Sequence, residues 1–348
     1  MRFHVLALLC ALSCCGLAQQ RPLTIYWVDV EGGGATLIVT PAGESILIDT
    51  GMDLDRDTSR IFQVGSKAAG LSRIDHVVIT HFHADHYGGV SLLSKLIPLG
   101  RFYDHGRANV PPDPDQPRLI PLYDRVTGGK ARVLHAGDTI PLKSATGLPE
   151  TRMECVAANR RIVNARTTRK VRNTLCDKMA AAPPDDTDNS NSLAFKLTYG
   201  VFTFFDGGDL TRDIEQKLVC PTNLVGSVDV YQTNSHGMDV SNDATFIHSL
   251  NPRVAVVNNG SNKGAEPESM KALFASPGIE TIWQVHRRIG ANAGRNTPDE
   301  FIANLDAGCT GRFLRATVNP DGSFEIGAGN SGRVRRYKRA KQTDSGRA

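Results

Sequence analysis

The chain has 348 residues, 40% of them hydrophobic, and a formal net charge of +4. That length and apolar content suffice for one large domain or two closely packed halves, and they exclude a disordered polymer. The small net charge excludes a global field for nucleic acid, and no stretch beyond the N-terminus approaches the ~18 uninterrupted apolar residues of a membrane helix.

At the N-terminus, Arg2 precedes an apolar run over residues 5–12, too short to span a bilayer, and Gly16-Leu17-Ala18 supplies a small-residue cleavage site. Residues 1–18 therefore read as a signal peptide, and the mature protein is expected to be secreted or periplasmic. A lipoprotein attached through Cys14 or Cys15 is disfavoured, because Leu12-Ser13-Cys14-Cys15 lacks a small residue in the right place. Cleavage leaves Cys155, Cys176, Cys220 and Cys309, an even number for an oxidising compartment. Of the three connectivities open, pairing Cys155 with Cys176 would staple the central insert.

Strand-like runs follow at 24–30, 35–40, 44–49 and 75–79, punctuated by Gly32-Gly33-Gly34 and Pro41-Ala42-Gly43. The run Val77-Val78-Ile79 leads into Thr80-His81-Phe82-His83-Ala84-Asp85-His86. In an extended or looped segment, side chains at i and i+2 project to one side, so His81 and His83 would grip one ion while Asp85 and His86 turn toward a second. Imidazoles with a carboxylate suit zinc, and manganese or iron are also compatible.

This string resembles the HxHxDH signature of the metallo-β-lactamase-fold hydrolases, in which two histidines bind one metal and the Asp-His pair the other. Gly88-Gly89 fits the family's passage from ligand loop to helix, with Val90, Leu92, Leu93 and Leu96 on the buried side. The resemblance implies an α+β fold, the four-layer αβ/βα sandwich, with two divalent metal ions at one edge. It makes Asp49, in Ser45-Ile46-Leu47-Ile48-Asp49, a carboxylate beneath the metals that orients a ligand. It assigns to Asp209, in Asp206-Gly207-Gly208-Asp209, the carboxylate shared by both ions, and to His236 the last ligand.

Most members carry a further histidine between His86 and Asp209. Only His105 and His135 lie there, and both are placed outside the site. What occupies the expected place is Asp188-Asn189-Ser190-Asn191-Ser192-Leu193, similar to the Asn-Asn-x-Ser-Leu string of ComEC-type DNA-internalisation competence proteins. Asp29-Val30-Glu31-Gly32-Gly33-Gly34 resembles a diverged form of their Asp-Val-Gly-Gln-Gly-Asp opening. The first metal would then depend on Asp188, Asn189 or Asn191, each of which reads equally well as a turn residue.

After Val201 the chain alternates, with helices expected at 211–219, 243–250 and 267–274 between strands. The hydrolase domain is placed at 19–330, with an insert at about 145–190, and a basic tail at 331–348, read as a solvated end. The insert carries a basic stretch over 158–178, which would bind a polyanion's phosphates or form a solvated helix face. Catalysis falls to Asp85, as proton acceptor, and His236. His286 is read as a satisfied strand-end histidine, contact with substrate being the alternative, and His76 and His248 as structural. Two metal ions would activate a water and polarise the scissile group. The expected substrate is a phosphodiester, small or polyanionic, including nucleic acid; a lactone, β-lactam or other ester is the alternative, as is a non-catalytic metal-binding module with an incomplete site. The oligomeric state is left open.

Overall fold

Along the first strand, Ile25 and Trp27 point one way and Tyr26 and Val28 the other, and all four are buried. A strand covered on both faces belongs to an inner layer. The computed structural model, which describes residues 21–164, 171–329 and 333–339, contains two such layers, each a nine-stranded sheet.

The first sheet runs Val334–Tyr337, Phe324–Ala328, Leu314–Val318, Leu23–Trp27, Thr36–Val39, Ser45–Ile48, Ile74–Val78, Leu99–Asp104, Arg132–Val133. The second runs Ile302–Asn304, Thr281–His286, Val254–Val257, Val230–Gln232, Phe202–Asp206, Ala194–Tyr199, Thr151–Ala158, Thr139–Ile140, with Arg161–Ile162 also pairing with Thr151–Ala158. Between the sheets lies a core of Ile25, Trp27, Ile46, Val78, Phe195, Phe204, Val254 and Trp283. Opposite faces of the same strands pack on helices: Tyr26, Leu47 and Val77 beneath Asp55–Gln63 and Gln116–Thr127, and Phe205, Tyr231 and Ala255 beneath Arg212–Val219, Ala244–Leu250 and Pro267–Ala275. This is the αβ/βα sandwich. A polar tie crosses it, where Gln232 Oε1 accepts from Trp27 Nε1 at 2.8 Å and Thr36 Oγ1 at 2.7 Å.

Topology positions the site. Ser45–Ile48, Ile74–Val78, Leu99–Asp104 and Arg132–Val133 run parallel in the first sheet. Phe202–Asp206 through Ile302–Asn304 run parallel in the second. In parallel sheets, functional loops gather beyond the carboxyl ends of the strands. Asp49, His81, His105, Asp209, His236, Asn258 and His286 each lie at or within four residues of such an end.

The anticipated helices in the second half form at Arg212–Val219, Ala244–Leu250 and Pro267–Ala275. Asp243 caps the second by accepting from Thr245 N at 2.8 Å, and Pro267 starts the third without needing its missing donor. Three expectations are corrected. Part of the insert belongs to the second sheet, because Met153 and Cys155 alternate into the inter-sheet core from Thr151–Ala158. Cys155 is consequently a buried free thiol, and the disulfide joins Cys176 to Cys220. Part of the tail is an edge strand, held because Tyr337 is buried, stacks on Phe324 at 4.7 Å and accepts from Trp283 Nε1 at 3.0 Å. The signal-peptide residues, Arg166, Arg169 and Lys170 of the basic stretch, and residues 340–348 lie outside the described residues. No helix among the described residues is long and apolar enough to cross a membrane.

Candidate metal centre

The loop from Thr80 to His86 leaves the first sheet and crosses to the second. Two buried carboxylates hold it. Asp49 accepts from Thr80 N at 2.8 Å, from Thr80 Oγ1 at 2.7 Å and from His86 Nδ1 at 2.7 Å. With Nδ1–H committed to Asp49, Nε2 is the nitrogen of His86 left to face a metal, the arrangement that orients a metal-binding imidazole. Gly34 makes this pair accessible, since a Cβ there would lie 2.7 Å from Asp49 Oδ2 and 2.8 Å from His86 Nδ1. On the other side Asp188 accepts from Phe82 N at 2.7 Å, from His105 Nε2 at 3.2 Å and from Asn191 Nδ2 at 2.9 Å.

The second sheet delivers two more groups. Gly208, at φ +56° and against Thr80, turns the chain after Phe202–Asp206 so that Asp209 faces the loop. Asp206 instead accepts from Gly208 N at 3.0 Å, and burial pushes its carboxyl up to about 7. His236 sits in left-handed backbone (φ 56°), a conformation costly for a residue with a side chain and common at functional sites.

His86 Nε2 and His236 Nε2 lie 3.3 and 3.2 Å from Asp209 Oδ1, and 3.5 and 3.4 Å from Asp85 Oδ2. His86 Nε2, His236 Nε2 and Asp209 Oδ1 are buried and make no hydrogen bond. Ligands about a tetrahedral ion with bonds of ~2.0–2.2 Å are separated by roughly 3.3–3.6 Å, so the four atoms are spaced to hold a divalent cation. Two groups of three form within this cluster: His81, His86 and Asp209, and Asp85, His86 and His236. His83 belongs to neither. Its Nδ1 lies 3.0 Å from His81 Nε2, so it adjoins the first group through His81.

Electrostatics favour the same occupant. Burial and the adjacent His86 ring hold His81 well below the usual imidazole range, the neutral form a metal requires. Burial alone would raise Asp209 and Asp85, but His236 and His86 outweigh it at Asp209, and His86 and Lys263 at Asp85, so both carboxyls stay well below their usual range. Burial would likewise lower His86, yet Asp209, Asp85 and Asp49 raise it well above its usual range. Three carboxylates converge on one ring and demand positive charge.

Among the remaining candidates, Asp188 and Asn191 are buried: Asp188 holds the loop through Phe82 N, and Asn191 donates to Asp188 and to the Asn109 carbonyl. Asn189 Oδ1 is buried without a partner. His105, placed outside the site by its sequence, is a buried donor to Asp188 and packs on Phe82 at 5.1 Å. Lys263 and Asn258 had no sequence signal beyond position: Lys263 Nζ pairs with Asp85, and Asn258 Nδ2 lies 3.3 Å from His236 Nδ1. The strand-end rule finds His105 and Asn258, each following a parallel strand. His135 is exposed.

Residues 29–120 match the family model described as the metallo-beta-lactamase superfamily. ComE operon protein 3 of Bacillus subtilis (strain 168) is 23% identical over 263 residues, covering 71% of this chain and 29% of that protein. An atrochrysone carboxyl ACP thioesterase of Aspergillus terreus is 31% identical over 106 residues, 30% of this chain and 31% of that protein. The chain thus spans about a third or less of the length of these relatives. Human tRNase Z, short form, superposes at a TM-score of 0.38 and 14% identity over 67% of this chain and 91% of that one.

Proposed function

We propose that this metallo-β-lactamase-superfamily hydrolase is an exported phosphodiesterase of the nuclease type that works with two divalent ions, zinc by choice of ligands. The convergence of unpartnered His86 Nε2, His236 Nε2 and Asp209 Oδ1 carries the reading. When bound, such ions activate water at neutral pH and neutralise charge on the scissile group. The chain's own residues hold and complement them. His81, His86 and Asp209 would hold one ion, and Asp85, His86 and His236 the other.

Asp85, kept ionised beside Lys263, is placed to accept a proton, and its pairing with Lys263 is exchangeable because the lysine is partly open to solvent. Beside the cluster, Glu31, Arg56, Arg60 and Lys263 line a cavity of about 590 Å³. Arg56, Arg60 and Lys263 are paired with Asp57, with Asp29 and Glu31, and with Asp85, so an anionic substrate would bind by exchanging with these carboxylates, as phosphate recognition requires. The resemblance to DNA-internalisation proteins supports the same class. Export is supported by the N-terminal pattern and by the Cys176–Cys220 disulfide, a bond that persists in oxidising compartments.

A second reading, hydrolysis of a thioester or lactone, is favoured by the match to the thioesterase over 106 residues. Incubating the protein with zinc or manganese and single-stranded DNA, and separately with a lactone and an acyl thioester, separates the two. Cleavage of DNA is expected. Intact DNA alongside an opened lactone or thioester would overturn the phosphodiester reading.

A further inference from the structure

We propose that Asp29, Glu31, His286 and Cys309 form a third cation site, structural in role, for a zinc-class divalent transition ion. It shares no ligand with the two groups of the metal centre, although Glu31 and Cys309 also line the adjoining cavity, and it does not depend on the activity assigned there. One ligand atom from each residue lies within 4.8 Å of the others, and the four come from three distant parts of the chain.

His286 decides the chemistry. It is fully buried, its Nδ1 meets the Arg287 carbonyl at 2.9 Å, and its Nε2 makes no hydrogen bond. A carbonyl can only accept, so Nδ1 carries the proton, and in the neutral ring the Nε2 lone pair points at Glu31 Oε1, 3.9 Å away. Two lone pairs facing across a gap too wide for a hydrogen bond repel each other unless a cation lies between them. Glu31 is committed to this direction, because its other oxygen accepts from Ser261 Oγ at 3.2 Å.

Charge completes the argument. Asp29 and Glu31 face one guanidinium, Arg60, at 3.2 and 3.5 Å, which leaves an excess of one negative charge. Nearby Arg56 is paired with Asp57 at 2.6 Å. The Cys309 thiol now donates to Asp29 Oδ2 at 3.1 Å. An entering divalent ion would release that proton to solvent, and thiolate, two carboxylates, ion and Arg60 would then sum to zero. A thiolate and an imidazole select a borderline ion over calcium or magnesium. Bound there, the ion would clip the loop carrying Cys309 to the strand end at His286 and to the loop at Asp29 and Glu31, which borders the cavity of the catalytic pocket.

Cobalt(II) loading of the full chain tests this, since a sulfur-to-cobalt charge-transfer band appears only when a thiolate ligates the ion. The expected wild-type protein shows the band and retains three equivalents of metal after dialysis. Cys309→Ser abolishes the band and lowers the count to two, as does His286→Ala. In Asp209→Ala the band persists, so failure of the catalytic pocket is distinguished from failure of this site. A wild-type protein without the band, a band that survives Cys309→Ser, or a metal count unchanged in both Cys309→Ser and His286→Ala would each overturn the proposal.

Discussion

Asp49 and Asp188 reach the same ligand loop from opposite sheets, yet they touch different parts of it. Asp49, after a strand of the first sheet, takes the Nδ1 proton of His86 and so acts on a ligand ring directly. Asp188, just before a strand of the second, takes Phe82 N and His105 Nε2 and reaches the ligand His81 only through charge. The first sets which nitrogen faces the metal, and the second sets where the loop lies. Orientation of a ligand bears on metal affinity, whereas placement of backbone bears mainly on stability.

That contrast gives an ordered series. Asp209→Ala, which deletes the carboxylate between His86 and His236, is expected to lower kcat/KM for phosphodiester cleavage by more than about 10³-fold, a larger loss than the ~10–100-fold typical of a residue that only supports a ligand. Steady-state kinetics with added zinc would show it. Asp49→Asn keeps the shape but loses the carboxylate under His86. Its zinc affinity, from competition with a chelator, should fall ~10–100-fold. If Asp49→Asn bound zinc as tightly as wild type, the division between the two carboxylates would fail.

Asp188→Asn should leave zinc affinity within about tenfold of wild type and cost about 1–3 kcal/mol of stability by denaturant unfolding. Burial alone would raise Asp188, but the hydrogen bond and charge of His105 outweigh it and hold the carboxyl well below its usual range. A depressed native pKa stabilises fully above the unfolded value of ~3.9, and that stability is lost as pH falls through the lower native value. The gap between wild type and Asp188→Asn is therefore constant at neutral pH and closes below about pH 4. The smallest effect on the metal is expected for Asn191→Ala, which removes the donors to Asp188 at 2.9 Å and to the Asn109 carbonyl at 3.0 Å. About 0.5–1.5 kcal/mol for each lost bond, with metal binding unchanged, would be read from the same unfolding curves.

Much of the first half of the site was readable because its chemistry is contiguous. Thr80 to His86 states the ligand types within one loop, and Ile46-Leu47-Ile48-Asp49 ends a buried strand in a carboxylate. Asp209 and His236 were found by their order along the chain. Their meeting with His86 depends on the packing of two sheets, which no local pattern encodes. The same limit hid Lys263, whose partner Asp85 is 178 positions away. His105 falls outside the site read from the sequence, although it directly follows a strand of the parallel set. Asp188 and Asn191 were noticed, but their role in holding the loop required the positions of Phe82 and His105.

Similar reasons explain the fold. Alternation and turn glycines gave the strands around Ile25, Ile38, Ile46 and Val77. Cys155 is a free thiol because the period-two pattern of Met153 and Cys155 puts both in the inter-sheet core, whereas the number of cysteines alone leaves the connectivity open. Tyr337, amid arginines and lysines, carries the last strand through one buried ring, a contact that charge density conceals.

Anomalous diffraction at the zinc edge from a zinc-soaked crystal tests the central claim most directly. The account predicts two peaks about 3.5–4 Å apart, enclosed by His81, Asp85, His86, Asp209 and His236. A well-ordered pocket holding no zinc, or zinc bound with those side chains turned away from it, would contradict it.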